Sequence, residues 1–323
     1  MCATNKNLDL KWRNFPNLLK AEGIALVPSD SKVQRHHFDL ESYPHTIENF
    51  GQWLPIKNRT LIRVEPVVVN PFQYQERIQN KYESIVVISP NELKGPRNLY
   101  WKSGYIDFEK IENISSDNRT GIALINENKF SFVPGSNYKL RKKVIDGFIE
   151  NKLPLNLAGM NWDNGYAWHF RKQASALRTA IKNHQGVALS QTQFRLKVES
   201  PWINYAGRVE SAQGFLAKSK FAIVIENDST YVSEKLLNAL IAGCIPIYSG
   251  PPLSIYGIPS EVALNVGKQP NEFVSAYLDT PILELEKVRR LGQNWIHSED
   301  ARKRWSVTEG FGRLIDIIKL RTS

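Results

Sequence analysis

From Phe221 to Gly250 the chain runs FAIVIENDSTYVSEKLLNALIAGCIPIYSG, and its polar chemistry is confined to one interval that holds Glu226, Asn227, Tyr231, Glu234 and Lys235. A carboxylate suits the first turn of a helix, where free N–H groups and the macrodipole carry partial positive charge, but a lysine there is opposed unless an anion docks beside it. A strand end, a helix N-terminus, a lysine and a tyrosine converging at the C-terminal edge of a parallel sheet make a phosphate site. In isolation Lys235 would read as a solvated surface lysine; its neighbours favour the anion reading. A second chemical element is Glu65, which closes the strand pattern RTLIRVE and is followed by Pro66. Proline restricts the residue before it and cannot continue a ladder, so this carboxylate should sit at a defined turn. In a partly desolvated cleft it could act as a general base on a hydroxyl, although a Glu-Pro pair alone marks only a loop.

The elements that must position these groups follow from periodicity. FAIVI predicts a strand buried on both faces of a parallel sheet. From Tyr231 the period becomes helical, with Val232, Leu236, Ala239 and Leu240 on one face, Ser229 or Thr230 as the cap and Gly243 as the stop. CIPIY then predicts the next strand, parallel to the first. Further strands are expected at Tyr82–Ser89 and Leu155–Gly159, and amphipathic helices over Leu283–Leu291 and Phe311–Leu320. The polar run 114–121 predicts a linker. Beyond it, Lys129-Phe-Ser-Phe-Val-Pro opens a second domain ahead of a helix carrying Arg141, Val144, Ile145 and Phe148. Upstream, Gly23-Ile-Ala-Leu-Val-Pro is expected to be a first strand. His36, His37 and His45 are read as loop histidines, because no carboxylate or cysteine stands at ligand spacing. The stretch 161–204 is basic, with Trp162, Trp168 and His169, and is either an insertion shaping an acceptor side or a helix packed on its domain.

At 323 residues the chain can hold two domains, and a mean hydropathy of −0.36 excludes a mainly membrane-embedded protein. No run is long and apolar enough to span a bilayer and the first residues lack a signal-peptide core, so a cytoplasmic location is expected. Cys2 and Cys244 are not expected to pair. The formal charge of +10 calls for an acidic partner: a nucleotide diphosphate, an anionic membrane surface or nucleic acid. Without an RNP, zinc-finger or helix-turn-helix pattern, nucleic acid is set aside. No Asp-x-Asp occurs, which removes the usual metal–diphosphate bridge and favours cationic side chains as the stabilisers of a leaving group.

At Glu226-Asn227, Tyr231-Val-Ser-Glu-Lys-Leu236, Ala242-Gly243, Ile245-Pro-Ile-Tyr248 and Gly250-Pro-Pro252 the chain resembles the α1,3/4-fucosyltransferases that use GDP-fucose. The approach Tyr205-x-Gly-Arg-Val-Glu, and Lys129–Val133 as a strand followed by Ser136-Asn137 and Arg141, are similar to that family as well. The resemblance implies an α/β protein of two Rossmann-like domains facing across a cleft, the GT-B type: residues 1–115 binding acceptor, 121–300 binding the nucleotide sugar, and 301–323 a C-terminal helix packing back on the first domain. It implies inverting transfer of L-fucose to a glycan or glycolipid hydroxyl in an α1,3-type linkage, with GDP-fucose as donor and no metal or other cofactor. In that scheme Glu65 is the base, although the family's intervening serine is missing here. Arg141 and Lys235 meet the diphosphate, with Tyr231 assisting; the planar fork of Arg141 suits phosphate oxygens. Glu234 binds the ribose hydroxyls, and Glu226 and Asn227 shape the pocket. Two alternatives stay open: another nucleotide-sugar donor on the same fold, and a basic binding module without catalysis. A peripheral contact with the inner face of a membrane, through Ile315, Ile317, Ile318 and Leu320 beside Lys319 and Arg321, is the lesser reading of the last helix.

Overall fold

The structure, a computed structural model, describes residues 15, 17–24, 37–40, 59–93, 95–108, 119–163 and 200–322. The chain divides into two compact units: one comprises Met1–Glu65, Gln73–Glu109 and Arg302–Ser323, the other Pro66–Phe72 and Lys110–Ala301.

The first unit holds a parallel sheet of β1 (His37–Leu40), β2 (Arg59–Arg63), β3 (Ser84–Val87) and β4 (Asn98–Tyr100), paired in that order. Every residue of β2 and β3 is buried, which accounts for the branched side chains Leu61 and Ile62 of β2 and Ile85, Val86 and Val87 of β3. The short helix α1 (Glu76–Gln79) precedes β3. His37 belongs to β1 and not to a loop; His36, His45 and the strand expected after Gly23 lie outside the described residues.

In the second unit a six-stranded parallel sheet contains β5 (Ile122–Ile125), β6 (Leu155–Ala158), β7 (Ile203–Tyr205), β8 (Phe221–Ile225), β9 (Ile245–Ser249) and β10 (Leu264–Asn265), ordered β10-β9-β8-β5-β6-β7. Read from β5, this is the doubly wound order 3-2-1-4-5-6, whose strand order reverses between β5 and β8. The helices are α2 (Tyr138–Glu150), α3 (Ala212–Leu216), α4 (Glu234–Ile241), α5 (Pro270–Leu278) and α6 (Ile282–Ile296). Val144, Ile145 and Phe148 of α2 join Leu124, Leu157, Ile223, Ile247 and Phe273 in one core.

Two expectations are corrected here. Lys129–Val133 forms no strand; β5 lies earlier, at Ile122–Ile125, where Ile122, Ala123 and Leu124 are fully buried between β6 and β8. Phe130 and Phe132 instead pack edge-to-face on each other, with centroids 4.7 Å apart, in the connection to α2. Likewise α4 begins at Glu234 and not at Tyr231, with Ser233 as its cap. The Asp228 carboxylate accepts from both the backbone N–H and the hydroxyl of Thr230, at 2.8 and 2.7 Å, and this local turn holds the chain out of the helix. Gly243 ends α4 as expected, at φ +70°.

After α6 come α7 (Glu299–Trp305) and α8 (Val307–Thr322). Within the first unit, Phe311 of α8 stacks on Phe15 at 4.8 Å, the Gly310 carbonyl accepts from the Trp101 indole at 2.8 Å, and the Arg313 Nε–H donates to the Lys102 carbonyl at 3.0 Å. Phe311, Leu314, Ile315 and Ile318 are buried; of the other two residues considered for lipid, Ile317 is half-buried and Leu320 is 71% exposed. Among the described residues no helix is long and apolar enough to cross a membrane.

Candidate active site

The second unit holds six of the seven sequence-picked residues near the C-terminal end of β8, beside the point where the strand order reverses, and hydrogen bonds link five of them, all but Glu234, in two groups. In open α/β sheets that crevice is where ligands bind. Glu226, the first residue past β8, is fully buried. Its Oε1 accepts from the Ser233 N–H at 2.9 Å, and its Oε2 accepts from the Ser233 hydroxyl at 2.6 Å and from Lys235 Nζ at 3.2 Å. Lys235 Nζ also donates to Ser233 Oγ at 2.8 Å. An ammonium has three N–H donors, so these two bonds leave one for a ligand. The Lys235 side chain keeps 19% of its surface exposed, enough to meet one.

Asn227 faces the other way. Its Oδ1 accepts from Arg141 Nη2 at 2.6 Å, its Nδ2 donates to the Tyr231 hydroxyl at 2.9 Å, and its carbonyl accepts from the Asn137 N–H at 2.9 Å. Arg141 Nη2 also donates to the Ile225 carbonyl at 3.2 Å, and the guanidinium lies over the Tyr138 ring at 4.7 Å. Arg141 is 2% exposed, its Nε has no hydrogen-bond partner, and no carboxylate among the described residues forms an ion pair with it. Burial holds the guanidinium below its ordinary range, opposed by the neighbouring Tyr138, Glu226, Tyr231 and Glu127. Of the two neighbouring carboxylates, Glu226 is bonded to Lys235 and Glu127 to Lys129. A buried ion without a bonded counter-charge costs several kcal/mol, which makes Arg141 a candidate to receive an anionic ligand.

Glu234, half-buried in the first turn of α4, makes no hydrogen bond or ion pair with a described residue. Under Glu226 the packing is close. Tyr248 is 2% exposed and donates to the Pro251 carbonyl at 3.1 Å; burial, then the Glu226 charge, push its phenol well above the ordinary range. A Cβ on Gly250 would stand 2.3 Å from the Tyr248 hydroxyl and 2.8 Å from Glu226 Cγ, so the chain passes here only as glycine.

Ser233, Asn137 and Tyr248 were not singled out from sequence. Ser233 carried a signal, a serine directly before Glu-Lys-Leu-Leu, that the earlier candidates Ser229 and Thr230 obscured. On the far side of β5, Trp162 is buried with its indole N–H on the Asn126 carbonyl at 2.6 Å. Trp168 and His169 lie outside the described residues.

Glu65 belongs to the first unit, two residues past the end of β2. Its carbonyl accepts from the Tyr74 hydroxyl at 3.1 Å. That hydroxyl also lies 2.9 Å from Glu92 Oε1, Glu92 Oε2 is 2.7 Å from Arg63 Nη2, and the Arg63 guanidinium lies 3.9 Å above the Tyr74 ring. The turn carrying Glu65 is thus tied to the ends of β2 and β3 by a charged network and not left as an open loop.

No protein-family model and no curated protein matches the chain. Solved structures do. A crystal structure of an α1,3-fucosyltransferase with GDP aligns at a TM-score of 0.51 and 14% identity, over 96% of this chain and 87% of that one. Anabaena Alr3699/HepE with UDP-glucose aligns at 0.53 and 10% identity, over 81% and 72%. The fold is the GT-B glycosyltransferase fold. TarM of S. aureus aligns at 0.46, with the chain spanning 52% of its length.

Proposed function

We propose that the chain is an inverting glycosyltransferase that moves L-fucose from GDP-fucose to a hydroxyl of a glycan or glycolipid, in an α1,3-type linkage. The observation that carries this reading is the buried Arg141, which forms no ion pair with a described carboxylate and lies beside the strand-order reversal of a doubly wound parallel sheet. The ordered match from Glu226 to Pro252, and the GDP bound by the α1,3-fucosyltransferase of similar fold, support the choice of donor.

In this mechanism the Glu65 carboxylate takes the proton of the acceptor hydroxyl. That oxygen attacks the anomeric carbon from the face opposite the diphosphate, and the bond from carbon to the diphosphate oxygen breaks with inversion. The departing diphosphate is neutralised by Arg141 and by the remaining N–H of Lys235, with Tyr231 assisting, so that no metal is required. Glu234 holds the ribose hydroxyls, while Glu226 and Asn227 fix the two cations. Donors aimed at developing charge are each worth roughly 10²-fold or more in rate.

A second reading, a different nucleotide sugar on the same fold, is favoured by one observation: the HepE structure of similar fold holds UDP-glucose. A thermal-shift panel of GDP-, UDP- and ADP-sugars separates the two. A ligand at a hundred times its Kd stabilises by about 2.7 kcal/mol, and GDP-fucose should give the largest shift. A larger shift with a UDP-sugar would replace the fucose donor, and wild-type turnover by both Arg141→Ala and Lys235→Ala would overturn the catalytic assignment.

A further inference from the structure

Helix α2 starts near the same strand ends as α4, but its first-turn donors are spent differently. Asn137, its N-cap, uses its backbone N–H on the Asn227 carbonyl and makes no side-chain cap bond. Its Nδ2 is buried without a partner, in a residue only 2% exposed. The Tyr138 N–H meets Ser136 Oγ at 3.4 Å, and the next two N–H groups, of Lys139 and Leu140, make no bond to a described residue. One turn on comes Arg141, equally buried, with Nε unpartnered. Helical side chains lean toward the N-terminus, so the Arg141 fork lies back over Asn137. Asn227 confirms this placement, because it holds the Asn137 N–H with its carbonyl and Arg141 Nη2 with its side chain. Besides the Asn137 Oδ1, the groups left over at this end of α2 are donors: the Asn137 amide N–H, a guanidinium N–H and two backbone N–H groups at the positive pole of a 13-residue helix. Such a set matches a phosphate oxygen.

We infer that Asn137 and the first turn of α2, together with Arg141, form the diphosphate cradle of the donor site, with Asn137 as a binding residue that contacts a phosphate oxygen through Nδ2. This rests on the nucleotide-sugar reading above and adds to it a residue and a helix. Lys235 then meets the diphosphate from the side of α4.

The test is calorimetric titration of the intact chain with GDP, UDP and ADP, each beside its nucleoside, and with inorganic pyrophosphate. The informative variant is Asn137→Asp. Aspartate is as good an N-cap as asparagine and complements the helix dipole and Arg141, so the melting temperature without ligand should hold or rise. Diphosphate affinity should nevertheless fall roughly 10- to 100-fold, as expected when a donor to a charged group is replaced by a like charge, while nucleoside binding is unchanged. Asn137→Ser, which keeps a capping side chain and a donor, should lose less. Wild-type pyrophosphate and nucleoside-diphosphate affinity in Asn137→Asp would overturn the cradle while leaving the proposed function standing. If no nucleotide binds the wild-type chain but pyrophosphate does, and Asn137→Asp abolishes it, the donor reading fails and the anion site stands. Binding of neither would sink both.

Discussion

Two helices of the second unit begin near the end of β8, and they treat their positive poles in opposite ways. The N-terminus of α4 is neutralised by its own chain: Ser233 caps it, the buried Glu226 carboxylate takes the Ser233 N–H, and Lys235 is folded back onto that carboxylate. The N-terminus of α2 keeps its donors unspent, with Asn137 Nδ2 and Arg141 Nε buried and unbonded. Burying an unsatisfied donor costs about 1–3 kcal/mol, so the two helices carry their first-turn donors at different cost. The comparison teaches that the residues with the most recognisable motif can be bonded to one another as framework, while the unspent donors lie on the helix whose sequence is less distinctive.

The contrast can be broken most directly at Arg141. If it faces the developing charge of the leaving group, Arg141→Ala should lower kcat/KM by roughly 10²-fold or more, and Arg141→Lys should recover little of it, because a point charge does not reproduce a planar fork already held by Asn227 and the Ile225 carbonyl. Steady-state kinetics with the donor saturating and then limiting would check this. Near-equal rates in wild type and both variants would place the anion elsewhere. On the α4 side the largest effect should be on stability. Glu226→Gln leaves Lys235 without its carboxylate at a fully buried position, and breaking such a pair costs about 3 kcal/mol. Urea denaturation should show the midpoint falling at an unchanged slope, with GDP affinity reduced far less than by Arg141→Ala. A variant with wild-type stability and no affinity would reverse the roles of the two helices.

How much of this was legible beforehand can be argued residue by residue. FAIVI and CIPIY announced buried parallel strands because a strand covered on both faces has no polar side to display. Glu226, Asn227, Tyr231 and Lys235 could be grouped because they fall within ten positions of one strand end. What was not legible is how they partition: whether Lys235 pairs with Glu226 or waits for a ligand depends on the path of residues 228–232, which the Asp228 turn decides and periodicity does not register. The fifth strand was missed for a related reason. Ile122–Ile125 is a four-residue run next to polar turn residues, whereas Lys129–Val133 displays a more conspicuous alternation that turns out to be two phenylalanines packing on each other. Asn137 was quoted only as part of a pattern, since nothing in one sequence reveals that an N-cap amide leaves its own helix uncapped.

Two smaller effects sharpen the comparison on the α4 side. Gly250→Ala would press a methyl group against the Tyr248 hydroxyl and Glu226 Cγ, and neither is the end of a flexible chain; overpacking of this kind costs about 1–3 kcal/mol. Because the strain falls on the Glu226 framework and not on α2, thermal unfolding should register the loss while pyrophosphate titration changes little.

The smallest expected effect, and the most discriminating, is that of Ser233→Ala. Removing an N-cap hydroxyl costs about 1 kcal/mol of stability. Here the same hydroxyl also stands between Glu226 and Lys235, donating at 2.6 Å to one and accepting at 2.8 Å from the other. With it gone, Lys235 keeps its bond to Glu226 and gains a second N–H for a ligand. Donor affinity should therefore hold or rise slightly even as the melting temperature drops. If α4 were the principal phosphate site, uncapping it would instead free the helix pole and raise pyrophosphate affinity severalfold. A rise of that size, matched by indifference to Asn137→Asp, would move the diphosphate from α2 to α4.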